Sequence, residues 1–174
     1  MLSVVLLAFD SFAPAQGDAA ALLRERIVRS LASLIEGCVQ GLFADASLAG
    51  PQNVGLERIA DEAGCNLVEA ATVRAGLAGA LTAARCPDVF VLRAGYAIER
   101  GFIDEARDAL GFGKPAVLRA APHSLVTRLA PGFAEPVGLL ARKEALVAAA
   151  AADLPALSRR LRCAELATRA RRTR

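Results

Sequence analysis

Leu2-Ser3-Val4-Val5-Leu6-Leu7-Ala8-Phe9 contains a single polar side chain in eight residues. A run that is apolar at nearly every position, rather than at every second one, is what a strand covered on both faces requires. It is too short to span a bilayer and carries no basic segment ahead of it. It is therefore read as a buried strand and not as an anchor or a secretory signal.

Working outward from that strand, Pro14 and Gly17 mark a loop, and Asp18 is placed to cap a helix over residues 19–35. In that helix Leu22, Leu23, Ile27, Leu31 and Leu34 fall on one stripe. Gly37 is the expected stop, followed by a second strand over 39–44 and a polar loop over 45–53. A short helix over 54–63 closes at Gly64 in the C-cap role, and a third strand covers 65–69. Thr72 opens a helix to about residue 85, and residues 87–93 give a fourth strand entered through Pro87. Further helices are expected over 99–110, 123–129 and 142–152, with strands over 115–120 and 137–141. Strands alternating with helices predict a three-layer α/β/α domain with a mainly parallel sheet over residues 1–154, followed by a basic helix or tail over 155–174.

Composition agrees with one folded domain. The chain has 174 residues, 55% of them hydrophobic and 22% charged, with mean hydropathy +0.39, which excludes disorder of the chain as a whole. The net charge of +3 hides a division. Residues 159–174 hold seven arginines and one acid, Glu165, for a local +6, so the other 158 residues carry −3. The basic segment is open to three readings: an anionic membrane surface, a nucleic-acid backbone, or a solvated terminal helix. Nucleic acid fits worst, because the body is acidic and aromatic residues are only 5% of the chain. A cytoplasmic protein with a solvated terminal helix is the expectation, and peripheral contact with the inner membrane through this segment and self-association are left open.

The cysteines at 38, 65, 86 and 163 form no C-x-x-C pair, and His123 is the one histidine. Buried thiols in a reducing compartment are expected rather than a zinc site. No G-x-G-x-x-G, G-x-x-x-x-G-K-[ST] or G-x-S-x-G motif occurs, so a P-loop enzyme, a dinucleotide-binding domain and a serine hydrolase are set aside. In an open α/β sheet, ligands bind beyond the carboxyl ends of the strands. Three candidates stand at the predicted ends: Asp10, Asp45 and Arg93. Either Asp can accept hydrogen bonds from a ribose or a base, or cap the following turn. Arg93 can face a phosphate, or lie on the surface.

Beyond these individual residues, residues 2–150 resemble the family 2 glycosyltransferases, which have the GT-A fold of nucleotide-diphospho-sugar transferases. The resemblance rests on Leu2-Ser3-Val4-Val5-Leu6-Leu7, Phe43-Ala44-Asp45-Ala46-Ser47, Ile59-Ala60-Asp61-Glu62-Ala63-Gly64-Cys65, Val89-Phe90-Val91-Leu92-Arg93-Ala94-Gly95 and Gly138-Leu139-Leu140-Ala141-Arg142-Lys143-Glu144-Ala145-Leu146. It implies transfer of a sugar from a nucleotide sugar, with Asp45 at the base. It also implies a divalent cation on an Asp-x-Asp motif. That position here reads Leu92-Arg93-Ala94-Gly95, so no metal is expected and Arg93 is the candidate charge partner of the diphosphate. A non-catalytic binding or assembly module on the same fold is the alternative.

Overall fold

The computed structural model describes residues 1–9, 18–122, 129, 131–149 and 153–173. In chain order the strands are β1 (Leu2–Leu7), β2 (Phe43–Gly50), β3 (Asn66–Glu69), β4 (Asp88–Arg93), β5 (Tyr96–Ala97), β6 (Ala116–Ala120), β7 (Pro136–Arg142) and β8 (Ala164–Arg172). Among the described residues the helices are α1 (Asp18–Val39), α2 (Glu57–Ala63), α3 (Val73–Ala83), α4 (Gly101–Phe112), α5 (Lys143–Ala149) and α6 (Leu154–Arg160).

The strands form one sheet in the order β3-β2-β1-β4-β7-β6-β8-β5. Pairings β3–β2, β2–β1, β1–β4 and β6–β8 are parallel, and β7 runs antiparallel between β4 and β6. β1 lies inside the sheet with helices on both sides. Leu2, Val4, Leu6 and Ala8 belong to the core under α1, α2 and α4, whereas Val5 and Leu7 belong to the core under α3, α5 and α6. The continuous apolar run follows from this two-sided burial. The larger core centres on Phe90, whose ring lies 4.5 Å from that of Phe102 and 6.3 Å from that of Phe43. The predicted three-layer α/β/α architecture is the one observed.

Local signals behaved well where they act locally. Gly64 takes the left-handed C-cap of α2 at φ 64°, its N–H reaching back to Ala60 and Asp61. Thr72 caps α3 by accepting from the Ala75 amide at 3.2 Å. The capping side chain expected of Asp18, and the helix expected over 123–129 except Leu129, lie outside the described residues.

Three expectations are corrected. Gly37 does not end α1, which continues to Val39. A Cβ at Gly37 would stand 2.2 Å from the Phe43 ring, so this glycine serves close packing of the helix on the sheet rather than a stop. β2 consequently starts later and runs to Gly50 instead of ending at residue 44. Leu22 is also not on the core stripe; it is 53% exposed, while Ile27 and Leu34 are buried.

The third correction concerns the basic segment. Residues 164–172 are strand β8, parallel to β6 and antiparallel to β5. Leu166 and Ala170 are buried, with Thr168 between them on the same side, a period of two that marks a strand. Ion pairs tie the segment to the body in both directions, its own acid to a body arginine and one of its arginines to a body acid. Glu165 accepts from Arg119 at 2.7 Å and lies 3.8 Å from Arg169, and Arg171 lies 2.9 Å from Glu99. Among the described residues no helix is long and apolar enough to cross a membrane.

Candidate functional site at the carboxyl edge of the sheet

β1, β2, β3 and β4 are mutually parallel and end on one edge, where their exits are stitched by backbone bonds. The Ala8 amide donates to Ala49, Ala70 to Gly50 and Ala94 to Leu7, at 2.7, 3.0 and 2.8 Å. Antiparallel β7 begins at the same edge, which brings Glu135 beside the end of β4.

Arg93 closes β4 where the sequence placed it. Its guanidinium pairs with the Glu135 carboxylate, and the Arg93 side chain retains 30% exposure. The Tyr96 hydroxyl lies 3.5 Å from the other Glu135 oxygen. Burial, and then the Glu135 charge, push the Tyr96 phenol above its usual range, while Arg93 and Arg172 oppose this.

The turn carrying these groups is held from α1. Gly95, at φ 89°, needs the left-handed conformation that glycine tolerates. Its amide donates to the fully buried Ser30 hydroxyl at 3.0 Å, and the Ile98 amide donates to Ser33 at 3.2 Å. On the far side the Thr173 amide donates to the Gly95 carbonyl at 2.8 Å. Two helix serines and the last strand thereby fix the direction of Arg93 and Tyr96. β2 leaves the same edge into Pro51-Gln52-Asn53-Val54-Gly55, with Gln52 and Asn53 exposed and Asn53 at φ 62°. Arg24 of α1 approaches this loop, its Nη1 standing 3.7 Å from where a Gly55 Cβ would be.

Asp45 is placed otherwise than the sequence suggested. Because β2 runs from Phe43 to Gly50, Asp45 lies near its amino end, in register with Ser3 at the start of β1. Its carboxylate accepts from the Ser3 hydroxyl at 2.9 Å, and Ser3 in turn accepts from the Cys86 amide at 2.9 Å. Asp45 and Arg93 therefore stand at opposite ends of the sheet, and the structure does not bring them together. Asp10 and His123 lie outside the described residues. Glu135, Tyr96 and the two α1 serines were not anticipated; their positions depend on contacts 39 to 65 residues apart in the chain, which no local pattern announces.

The residues closing β4 do not suit a hard divalent cation, which needs several oxygen donors. Arg93 puts a positive charge there, and the nearby Glu135 carboxylate is engaged by it. Among the described residues no group of three or more His, Cys, Asp or Glu is placed to hold a metal.

No protein-family model matches the chain, and no curated protein matches it by sequence. Solved structures do. The 2-C-methyl-D-erythritol 4-phosphate cytidylyltransferase of Thermus thermophilus is similar with a TM-score of 0.59 and 21% identity, over 95% of this chain and 88% of that one. The 4-diphosphocytidyl-2C-methyl-D-erythritol synthase of Anaerococcus prevotii gives 0.61 and 10%, over 99% and 89%. Glucosyl-3-phosphoglycerate synthase of Mycobacterium tuberculosis, solved with Mn²⁺, UDP-glucose and phosphoglyceric acid, gives 0.64 and 16%, over 94% and 68%. At these identities the likeness speaks for architecture alone: this chain has a GT-A-like α/β/α fold.

Proposed function

We propose that the carboxyl edge of this sheet binds a nucleotide sugar without a resident metal, as a small glycosyltransferase-like domain. The observation that carries the reading is the position of Arg93. It is a partly exposed guanidinium at the end of β4, on the edge where an open α/β sheet receives its ligand. A guanidinium there suits the diphosphate, whose charge grows as the bond to the sugar breaks. Exposed Gln52 and Asn53 at the end of β2 offer donors and acceptors to a base or ribose. The structural likeness to a synthase solved with UDP-glucose supports the same class of ligand.

A second reading, a binding module without transfer, is favoured by the Arg93–Glu135 pair, which already matches the arginine's charge. Calorimetry with a panel of nucleoside diphosphates and nucleotide sugars in EDTA tests the shared claim. Binding weakened by Arg93→Gln is expected, and no binding at millimolar concentration would refute it. Release of nucleoside diphosphate from a bound nucleotide sugar would then separate the transferase from the module.

A further inference from the structure

The β5–β8 ribbon adds a second arginine to the edge. Tyr96 and Arg172 are direct partners in its antiparallel register, and such partners project on the same side of a ribbon. The Tyr96 hydroxyl accordingly lies within the electrostatic reach of Arg172 as well as of Arg93 and Glu135. A third arginine comes from α1: the Arg26 Cδ stands 3.8 Å from where a Gly95 Cβ would be. A strand end, a ribbon and a helix thus bring three arginines to one turn, where the Glu135 carboxylate is paired with Arg93.

We infer that Arg93, Arg172 and Arg26 form a metal-free receptor for a diphosphate group, with Glu135 as an internal counter-ion that the ligand displaces from Arg93. The inference rests on the reading of this edge as the ligand site, and it names the groups that replace the cation. Guanidinium pairs bidentately with phosphate oxygens, so several arginines can hold a diphosphate that otherwise needs Mg²⁺. The displaced pair is a weak one. Arg93 and Glu135 are 30% and 46% exposed, and pairs this open contribute little, so exchanging the carboxylate for a more highly charged phosphate is favourable. The swap also frees the Tyr96 hydroxyl, now 3.5 Å from Glu135, to donate to the ligand.

The test is calorimetry of the full chain in EDTA, with sodium pyrophosphate and with UDP, on the wild type, Arg172→Gln and Glu135→Gln, each checked for folding by circular dichroism. Expected are metal-free pyrophosphate binding, weakening of about tenfold or more in Arg172→Gln, as for loss of one charge-assisted contact, and tightening of about three- to fivefold in Glu135→Gln, as for release of one exposed pair. Glu62→Gln, which removes an equal charge from an exposed pair on α2, should leave affinity within about twofold, since a distant surface charge is screened. A requirement for Mg²⁺, no effect of Arg172→Gln, or weaker binding in Glu135→Gln would overturn the receptor. Nucleotide binding at this edge that ignores both variants would keep the proposed function and remove the receptor. Pyrophosphate binding that UDP and other nucleotides do not exceed would keep the receptor and remove the nucleotide.

Discussion

The Ser3 hydroxyl donates to the Asp45 carboxylate at 2.9 Å while accepting from the Cys86 amide at the same distance, so one serine joins three segments at the amino end of the sheet. Ser3 is fully buried. Removing its hydroxyl leaves both an amide and a carboxylate oxygen without a partner, whereas removing Asp45 also removes its second oxygen, which is buried and unpaired. Ser3→Ala is expected to cost about 2 kcal/mol and Asp45→Ala about 1 kcal/mol in urea unfolding. Neither should change nucleotide affinity, because Arg93 and the proposed site lie at the opposite end of the strands.

Gly37 and Gly111 make a paired test of packing against propensity. A methyl group at Gly37 would meet the Phe43 ring at 2.2 Å, and that ring is held by its neighbour Phe90. Gly37→Ala should destabilise by about 1–3 kcal/mol. Gly111, in the last turn of α4, has open space around it, and Gly111→Ala should stabilise by roughly 0.5 kcal/mol. Thermal unfolding of both variants reads the two signs directly.

Leu166 distinguishes a strand from a solvated tail. It is 7% exposed and packs in the larger core, and the next residues are tied to α4 through Glu105, which accepts from the Thr168 amide at 3.0 Å. Leu166→Ala should cost about 2–3 kcal/mol. The same change in a solvated terminal segment would stay within about 0.5 kcal/mol. Denaturant unfolding decides between them.

Cys163 should be the slow thiol. Burial pushes it up to about 11, and the thiolate is the reactive form. At pH 8 its thiolate fraction is then roughly a hundredfold below that of a thiol at the usual value, since each pH unit is a factor of ten. Mass-spectrometric iodoacetamide labelling at pH 8 should mark Cys163 last and only slowly, with the rate rising tenfold per pH unit toward 11. The raised value also means that its contribution to stability is present below pH 9 and declines as pH climbs through the folded-state value.

What the sequence disclosed divides along the reach of each signal. The β1 run, the Gly64 cap and the Thr72 cap depend on neighbours within a few residues, and all three read through to the structure. Arg93 was found because a strand end can be located locally. Its partner Glu135, 42 residues away, could not be. Gly37 misled because a helix stop and a close approach to an aromatic ring use the same residue, and that error carried β2 and Asp45 with it. β8 was hidden for another reason: alanine and arginine favour helices, so the alternation of Leu166, Thr168 and Ala170 was outweighed by composition.

The most direct measurement is a crystal structure of the chain grown in EDTA and soaked with UDP. Density is expected at the carboxyl edge, its diphosphate against Arg93 and Arg172, its base near Gln52 and Asn53, and the Glu135 carboxylate turned away from Arg93. Density at the amino end beside Asp45, or an edge that stays empty with Glu135 still on Arg93, would contradict it.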